Sequence, residues 1–96
     1  MKNENVSVSH NQEAHRFELV VDGHLAVLDY MLSGDIIIFT HTSVPPAIGS
    51  RGLGSKLVQT SLDYARERGL KVRSLCWFVS KYIRLHAEYQ DLLKNR

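Results

Sequence analysis

Val44-Pro45-Pro46-Ala47-Ile48-Gly49-Ser50-Arg51-Gly52-Leu53-Gly54-Ser55-Lys56-Leu57 is the stretch that decides how this chain is read. Before it lies an apolar run, Asp35-Ile36-Ile37-Ile38-Phe39-Thr40-His41-Thr42, with strand character. After it, Leu53, Leu57, Val58, Ser61, Leu62 and Ala65 fall on one face of a helix. Glycines at 49, 52 and 54 let the backbone between them turn tightly and approach a ligand closely. A loop entering a helix start presents unpaired N–H groups and the positive end of the helix dipole, a geometry that suits phosphate. Strand, glycine loop and helix together read as a seat for a phosphorylated cofactor.

Working upstream, Phe17, Leu19 and Val21 alternate with Arg16, Glu18 and Val20 as in a half-buried strand. Asp22-Gly23 is a hairpin signal. Residues 25–32 form the next strand, with Ala26, Leu28, Tyr30 and Leu32 on one face, and Ser33-Gly34-Asp35 makes a turn into the strand at 36–42. The apolar run of that third strand suggests a central strand covered on both faces. Residues 1–14 are polar, either a loose tail or an edge strand through Val6 and Val8. Downstream, Pro45 and Pro46 end the strand, Gly69 ends the helix, and residues 72–78 read as a fourth core strand. Ser80 is placed to cap a last helix carrying Tyr82, Leu85, Tyr89 and Leu92 on one face. The order is β-β-β-α-β-α, and the helix joining strands three and four suits a parallel, right-handed crossover. The expected fold is α+β: a mixed sheet with helices packed on it.

Ninety-six residues make one domain, taken as 15–96 behind the N-terminal segment, and bury roughly 60–65% of the unfolded surface. No run approaches the ~20 apolar residues of a membrane span, and with no apolar segment behind Met1-Lys2-Asn3-Glu4-Asn5 a signal peptide is not expected. Cytoplasm is the default compartment, since Cys76 is the single cysteine and has no disulfide partner in the chain. Net charge is +2; Arg66, Arg68, Lys71 and Arg73 cluster, but Asp63 and Glu67 stand among them. That pattern fits a solvated helix end rather than a nucleic-acid stripe, which needs a longer basic run interleaved with aromatics. No nucleic-acid or membrane partner is expected. The spacing of His10, His15 and His24 has nothing of a metal site, and no metal is expected.

The layout resembles the GNAT superfamily of acetyl-coenzyme A-dependent N-acetyltransferases, over residues 15–93. The family loop has the form Arg/Gln-x-x-Gly-x-Gly/Ala; Gly52 and Gly54 fill its small-residue positions, and Gly49 stands where Arg or Gln is preferred. Val44-Pro45-Pro46, Cys76-x-Phe78-Val79, Tyr82-Ile83 and His86-x-Glu88-Tyr89 look like the small YjdJ-like branch, whose members lack the first helices of larger enzymes. The resemblance implies that acetyl-coenzyme A is the cosubstrate and that no metal is needed. It places the pantetheine arm at Thr42, Ser43 and Val44, and the pyrophosphate on the N–H groups of Gly49, Ser50, Arg51, Gly52, Leu53, Gly54 and Ser55. His41 and Cys76 would stand at the ends of two parallel strands that splay apart where the arm enters.

Each residue also has a structural reading. Arg51 meets a phosphate or faces water; Cys76 is a small core residue or a group beside the thioester; Tyr82 and Tyr89 form a core stripe; Trp77 and Phe78 are packing residues. An imidazole at His41 would suit removal of an amine proton. The implied activity is acetyl transfer to an amine, of a small molecule or of a protein or peptide, by direct attack. The alternatives are a covalent route through Cys76, a non-catalytic coenzyme A or acyl-coenzyme A binding module, and an interaction protein that keeps only the fold.

Overall fold

In the computed structural model, residues 6–93 are described. Residues 1–5, where the leader reading falls, and residues 94–96 lie outside that range. Five strands form one sheet in the order β1-β2-β3-β4-β5: β1 is Ser9–Asn11, β2 Arg16–Val21, β3 His24–Ser33, β4 Ile36–Ser43 and β5 Lys71–Ser74. The first four pair antiparallel, and β5 joins β4 in parallel from Ile36↔Lys71 to Phe39↔Ser74. Helix α1, Leu53–Glu67, makes the crossover; α2, Trp77–Leu85, follows β5, and a 3-10 segment, Ala87–Leu92, closes the described chain.

The turns carry the expected chemistry. Asp22 and Gly23 both have positive φ, 53° and 78°, as a type I′ hairpin requires. Gly69 has φ +69° behind α1, where its N–H donates to the Arg66 carbonyl and that of Leu70 to the Ala65 carbonyl. That double bond is the Schellman ending, for which glycine is favoured.

Both helices and the 3-10 segment pack on one side of the sheet. Phe17, Leu19, Val21, Ala26, Leu28, Tyr30, Ile37, Phe39 and Val72 bury there against Leu57, Val58, Leu62, Val79, Ile83, Tyr89 and Leu92. The opposite face has no covering helix among the described residues. Ile36 and Ile38 are therefore half-buried, and β4 is covered on one face instead of two. Val20, Leu25 and Met31 are exposed on that open face, and Leu32, expected among the core residues of β3, is 50% exposed near its end.

Two further expectations are corrected. The fourth strand ends at Ser74, not 78, and the last helix begins at Trp77 with Cys76 as its N-cap, so Ser80 lies inside it. Side chains close the turn: the Ser74 hydroxyl donates to the Cys76 carbonyl at 2.9 Å, and the Ser80 hydroxyl to Ser74 Oγ at 2.8 Å. A short apolar run reads equally as strand or helix, and here the Val79–Ile83 spacing prevails. The helix then breaks at His86, whose backbone is extended and whose Nδ1–H donates to the Tyr82 carbonyl at 2.7 Å. Tyr89 and Leu92 reach the core from the 3-10 segment, while Leu85 is 64% exposed instead of joining them.

The basic cluster is largely engaged. Arg66 makes a bidentate pair with Asp91 at 2.9 and 3.0 Å, Arg68 lies over the Tyr64 ring, and Lys71 donates to the Asp91 carbonyl. The Arg66–Asp91 pair ties the 3-10 segment to α1, and Lys71 ties it to β5.

Candidate active site

The parallel ladder stops at Phe39↔Ser74, with one more bond from the Leu75 N–H to the Phe39 carbonyl, while β4 runs on to Ser43. Beyond Phe39, β4 has no strand on that side. The gap opens into a cavity of about 370 Å³ lined by Thr42, Val44, Gly49, Gly52, Leu53, Gly54, Ser55, Trp77 and Phe78. Ser43, Ser50 and Arg51, also expected at this site, do not line it; Arg51 Nη2 pairs instead with Asp22 Oδ2 of the β2–β3 turn at 2.8 Å.

Two helix starts converge on the cavity. Gly52 is the N-cap of α1, and the first helical bond runs from the Lys56 N–H to its carbonyl. The N–H groups of Leu53, Gly54 and Ser55 precede that bond, and no side chain caps them and no acidic residue sits in the first turn. The start of α2 also has no acidic residue, but its Phe78 and Val79 N–H groups are turned to the thiol of the N-cap Cys76. The uncapped start of α1 facing this cavity favours an anion there.

The three glycines do different jobs. Gly52 has φ +71° and open space where a Cβ would be, so both its backbone and the room beside it depend on glycine. Gly49 is right-handed, at φ −71°, with nothing closer than 3.6 Å to a Cβ, and closes a 3-10 turn over Pro46–Ile48. Gly54 is helical, and a Cβ there would lie 2.9 Å from Phe78 Cζ. It permits α1 and α2 to pack closely.

A β-bulge separates the two residues expected to face each other. Tyr30 pairs with Phe39, but Asp29 pairs with His41, so Thr40 is an extra residue in β4. Simple alternation from Ile37 and Phe39 would turn His41 toward the helices. The bulge reverses the parity: Thr42, opposite the fully buried Leu28, faces the helix side, and His41, opposite Asp29, is exposed on the open face. The structure thus brings Cys76 to Thr42, with Oγ1 and Sγ 3.4 Å apart, and not to His41.

Cys76 is almost wholly buried beside the cavity. Burial pushes its thiol upward, but the Thr42 hydroxyl and the N–H groups of Val79, Phe78 and Thr42 outweigh it, leaving the thiol below its ordinary value. Neither tyrosine lines the main cavity. Tyr89 donates to Asp63 Oδ1 at 2.7 Å and is raised to about 12 by burial first and that carboxylate second. Tyr82 stacks on His86 at 3.8 Å in a neighbouring cavity. Trp77 and Phe78, read as packing residues, are the lining residues missed; extending the strand to 78 hid that they open a helix at the cavity mouth. Among the described residues no three of His, Cys, Asp or Glu gather as a metal site, and no helix is long and apolar enough to cross a membrane.

The model of the GCN5-related N-acetyl-transferase family matches residues 16–92. Protein NATD1 of Mus musculus is 33% identical over 82 residues, spanning 82% of this chain and 74% of that protein; the Homo sapiens protein is 33% identical over 82 residues, spanning 82% and 73%. A GCN5-like protein from Staphylococcus aureus, solved by NMR in solution, superposes with a TM-score of 0.75 at 26% identity, over 98% of this chain and 93% of that one. The mixed sheet, the parallel crossover and the cavity at its splayed end thus have their counterpart in a known family: the chain belongs to the GCN5-related N-acetyltransferases and is an N-acetyltransferase domain.

Proposed function

We propose that this chain transfers acetyl from acetyl-coenzyme A to an amine by direct attack. The observation that carries the reading is the cavity at which the uncapped start of α1 meets the end of β4 that β5 no longer pairs. Acetyl-coenzyme A supplies an activated thioester and an anionic pyrophosphate when bound. The N–H groups of Leu53, Gly54 and Ser55, with the dipole of α1, hold the pyrophosphate, and Gly52 leaves room for it. The free edge of β4 at 42–44 offers backbone groups to the amides of the pantetheine arm. Backbone donors around the bulge polarise the thioester carbonyl.

In this reading the two sides of the sheet have different work. Thr42 and Cys76 stand on the donor side. His41 stands on the open side, from which an amine reaches the gap, and takes its proton directly or through a water. Cys76 is at most a proton donor to the departing thiolate. The open face leaves space for a protein or peptide amine as well as a small one. No nucleic acid, membrane or metal takes part, and a cytoplasmic setting suits a free buried thiol.

One observation favours a second reading. Neither an imidazole nor a carboxylate lines the cavity, as a coenzyme A binding module without catalysis would have it. The test is a heat-shift titration with acetyl-coenzyme A, then mass detection of acetylated product across peptide and small-molecule amines. Thermal stabilisation with product supports transfer; stabilisation without product for any amine supports the module; no stabilisation removes both and leaves an interaction protein. In the same assay, an acetyl adduct on Cys76 that forms without acceptor, and that an amine discharges at the turnover rate, replaces direct attack by the covalent route.

A further inference from the structure

Away from the cavities, the open face of the sheet carries two apolar patches. Val20 stands directly opposite Leu25 across β2 and β3, with the half-buried Val27 next to them, and Met31 stands opposite Ile38 across β3 and β4. Val20 is 61% exposed and Met31 55%. Single apolar side chains are ordinary on a surface, whereas adjoining patches of them mark a contact surface. From Leu25 to Met31 the face runs about 20 Å along β3.

One polar row separates the patches. Arg16, Asp29 and His41 stand opposite one another across β2, β3 and β4, and the row points on into the lane that β5 has left. Arg16 is taken by Glu18 at 2.6 Å. The half-buried Asp29 carboxylate has no hydrogen-bond or ion-pair partner among the described residues. Arg73, opposite Ile38 and exposed, adds a positive charge at the β5 edge. A cation arriving on this face is therefore drawn to Asp29, next to the imidazole.

Resting on the transfer reading above, we propose that the open face docks the acceptor, and that the acceptor is a lysine side chain within an extended segment of a protein. The group complementary to the Asp29 carboxylate is an ammonium. Apolar surface on both sides of that carboxylate calls for chain on both sides of the amine, which a terminal amine or a small polar amine lacks. Val27, Asp29 and Met31 are two residues apart on β3. Alternate residues of an extended segment share a face at the same spacing, so a lysine with apolar residues two places before and after it lies over the three in register. From Asp29 the ammonium meets His41 and the gap beyond it.

Capped peptides offered to the full chain test this, by fluorescence anisotropy with coenzyme A present and by product mass with acetyl-coenzyme A. Val-Ser-Lys-Ser-Val should bind about ten-fold tighter than Ser-Ser-Lys-Ser-Ser. It should also bind tighter than the same peptide with norleucine for lysine, or with its one amine moved to an uncapped N-terminus. Asp29→Asn should remove the preference for lysine over norleucine and keep that for apolar flanks. Met31→Ser should do the reverse, reducing the preference for apolar flanks with acetyl-coenzyme A binding unchanged. Met31 is exposed, so circular dichroism should show that variant folded. Equal binding of apolar-flanked and polar peptides, or of lysine and norleucine peptides, would overturn the dock and leave the transfer reading standing. A wild type that sediments as a dimer, and as a monomer after Met31→Glu, would overturn it too, because a second copy would then cover the face. The expected binding pattern without acetylated product would keep the peptide dock and remove the transfer reading.

Discussion

Replacing Gly54 by Ala sets two calculable effects against each other. An added Cβ would lie 2.9 Å from Phe78 Cζ and 3.0 Å from Cε2, closer than carbon atoms approach. The ring must move, at an overpacking cost of about 1–3 kcal/mol. Against that, Ala in a helix gains about 0.5–1 kcal/mol over Gly. The net is a loss of about 0–2.5 kcal/mol, and each kcal/mol lowers Tm by about 4–8 °C in a domain this size. Phe78 borders both cavities, so the ring is displaced toward the cleft and acetyl-coenzyme A binding should weaken as well. Thermal melts and ligand titrations of Gly54→Ala, Phe78→Leu and the double variant measure the coupling. The smaller Leu should absorb the methyl group, so Gly54→Ala should stabilise in that background. Gly49→Ala, with 3.6 Å to its nearest neighbours, is the control and should be neutral or slightly stabilising. A Gly54→Ala protein that melts higher than wild type, with effects additive in the double variant, would refute the contact.

Gly52→Ala should cost about 1–2 kcal/mol despite the open space around it, because the strain lies in the left-handed backbone; Gly52→Asn should cost less, and an unchanged melt for both would deny the conformation. Tyr89→Phe removes the 2.7 Å bond to Asp63 and should cost about 1–2 kcal/mol in urea unfolding, with no change in acetyl-coenzyme A titration. His10 stacks on Phe17, bonds the Tyr30 hydroxyl at 2.6 Å, and is held below the ordinary imidazole value by burial first and Arg68 second. Because its folded value is depressed, the unfolded chain binds the proton more readily, so stability is full above about pH 6.5 and falls as pH drops through that value toward the folded one. Urea midpoints between pH 7.5 and 5 should show a shallower slope in His10→Phe; an identical slope would rule out His10 as its source.

Much of this was legible because it rests on local chemistry. Asp22-Gly23 specifies its hairpin by backbone conformation alone, and Leu57, Val58, Ser61, Leu62 and Ala65 mark the buried face of α1 without tertiary knowledge. The parallel pairing of β4 with β5 followed from the length of the crossover. The misreadings have a common cause in two-residue ambiguity. Residues 75–79 are apolar enough for strand or helix; the Val79–Ile83 spacing favours the helix, but where it starts falls to hydroxyl bonds among Ser74, Cys76 and Ser80 that no periodicity encodes. The glycines announced a loop but not their separate duties. Gly54 answers to Phe78, twenty-four positions away, and such a contact leaves no mark in local pattern.

The bulge at Thr40 has the largest consequence per residue. A strand alternates faces with period two, so one inserted residue exchanges the sides of everything beyond it. Without it, His41 would point among the helices beside Cys76, and Thr42 would point to solvent. With it, a small hydroxyl sits against the thiol on the donor side and the imidazole stays in water on the other. An imidazole among the helices would be desolvated, and desolvation disfavours its protonated form. In the proposed mechanism, a base that has taken the amine's proton must then release it, which solvent on the open face allows. The same insertion leaves a backbone group of β4 outside the ladder, at the level where β5 has already turned away. In the proposed mechanism, one extra residue in β4 thus separates donor from acceptor, frees backbone for a carbonyl, and places His41 as base on the side from which the amine arrives.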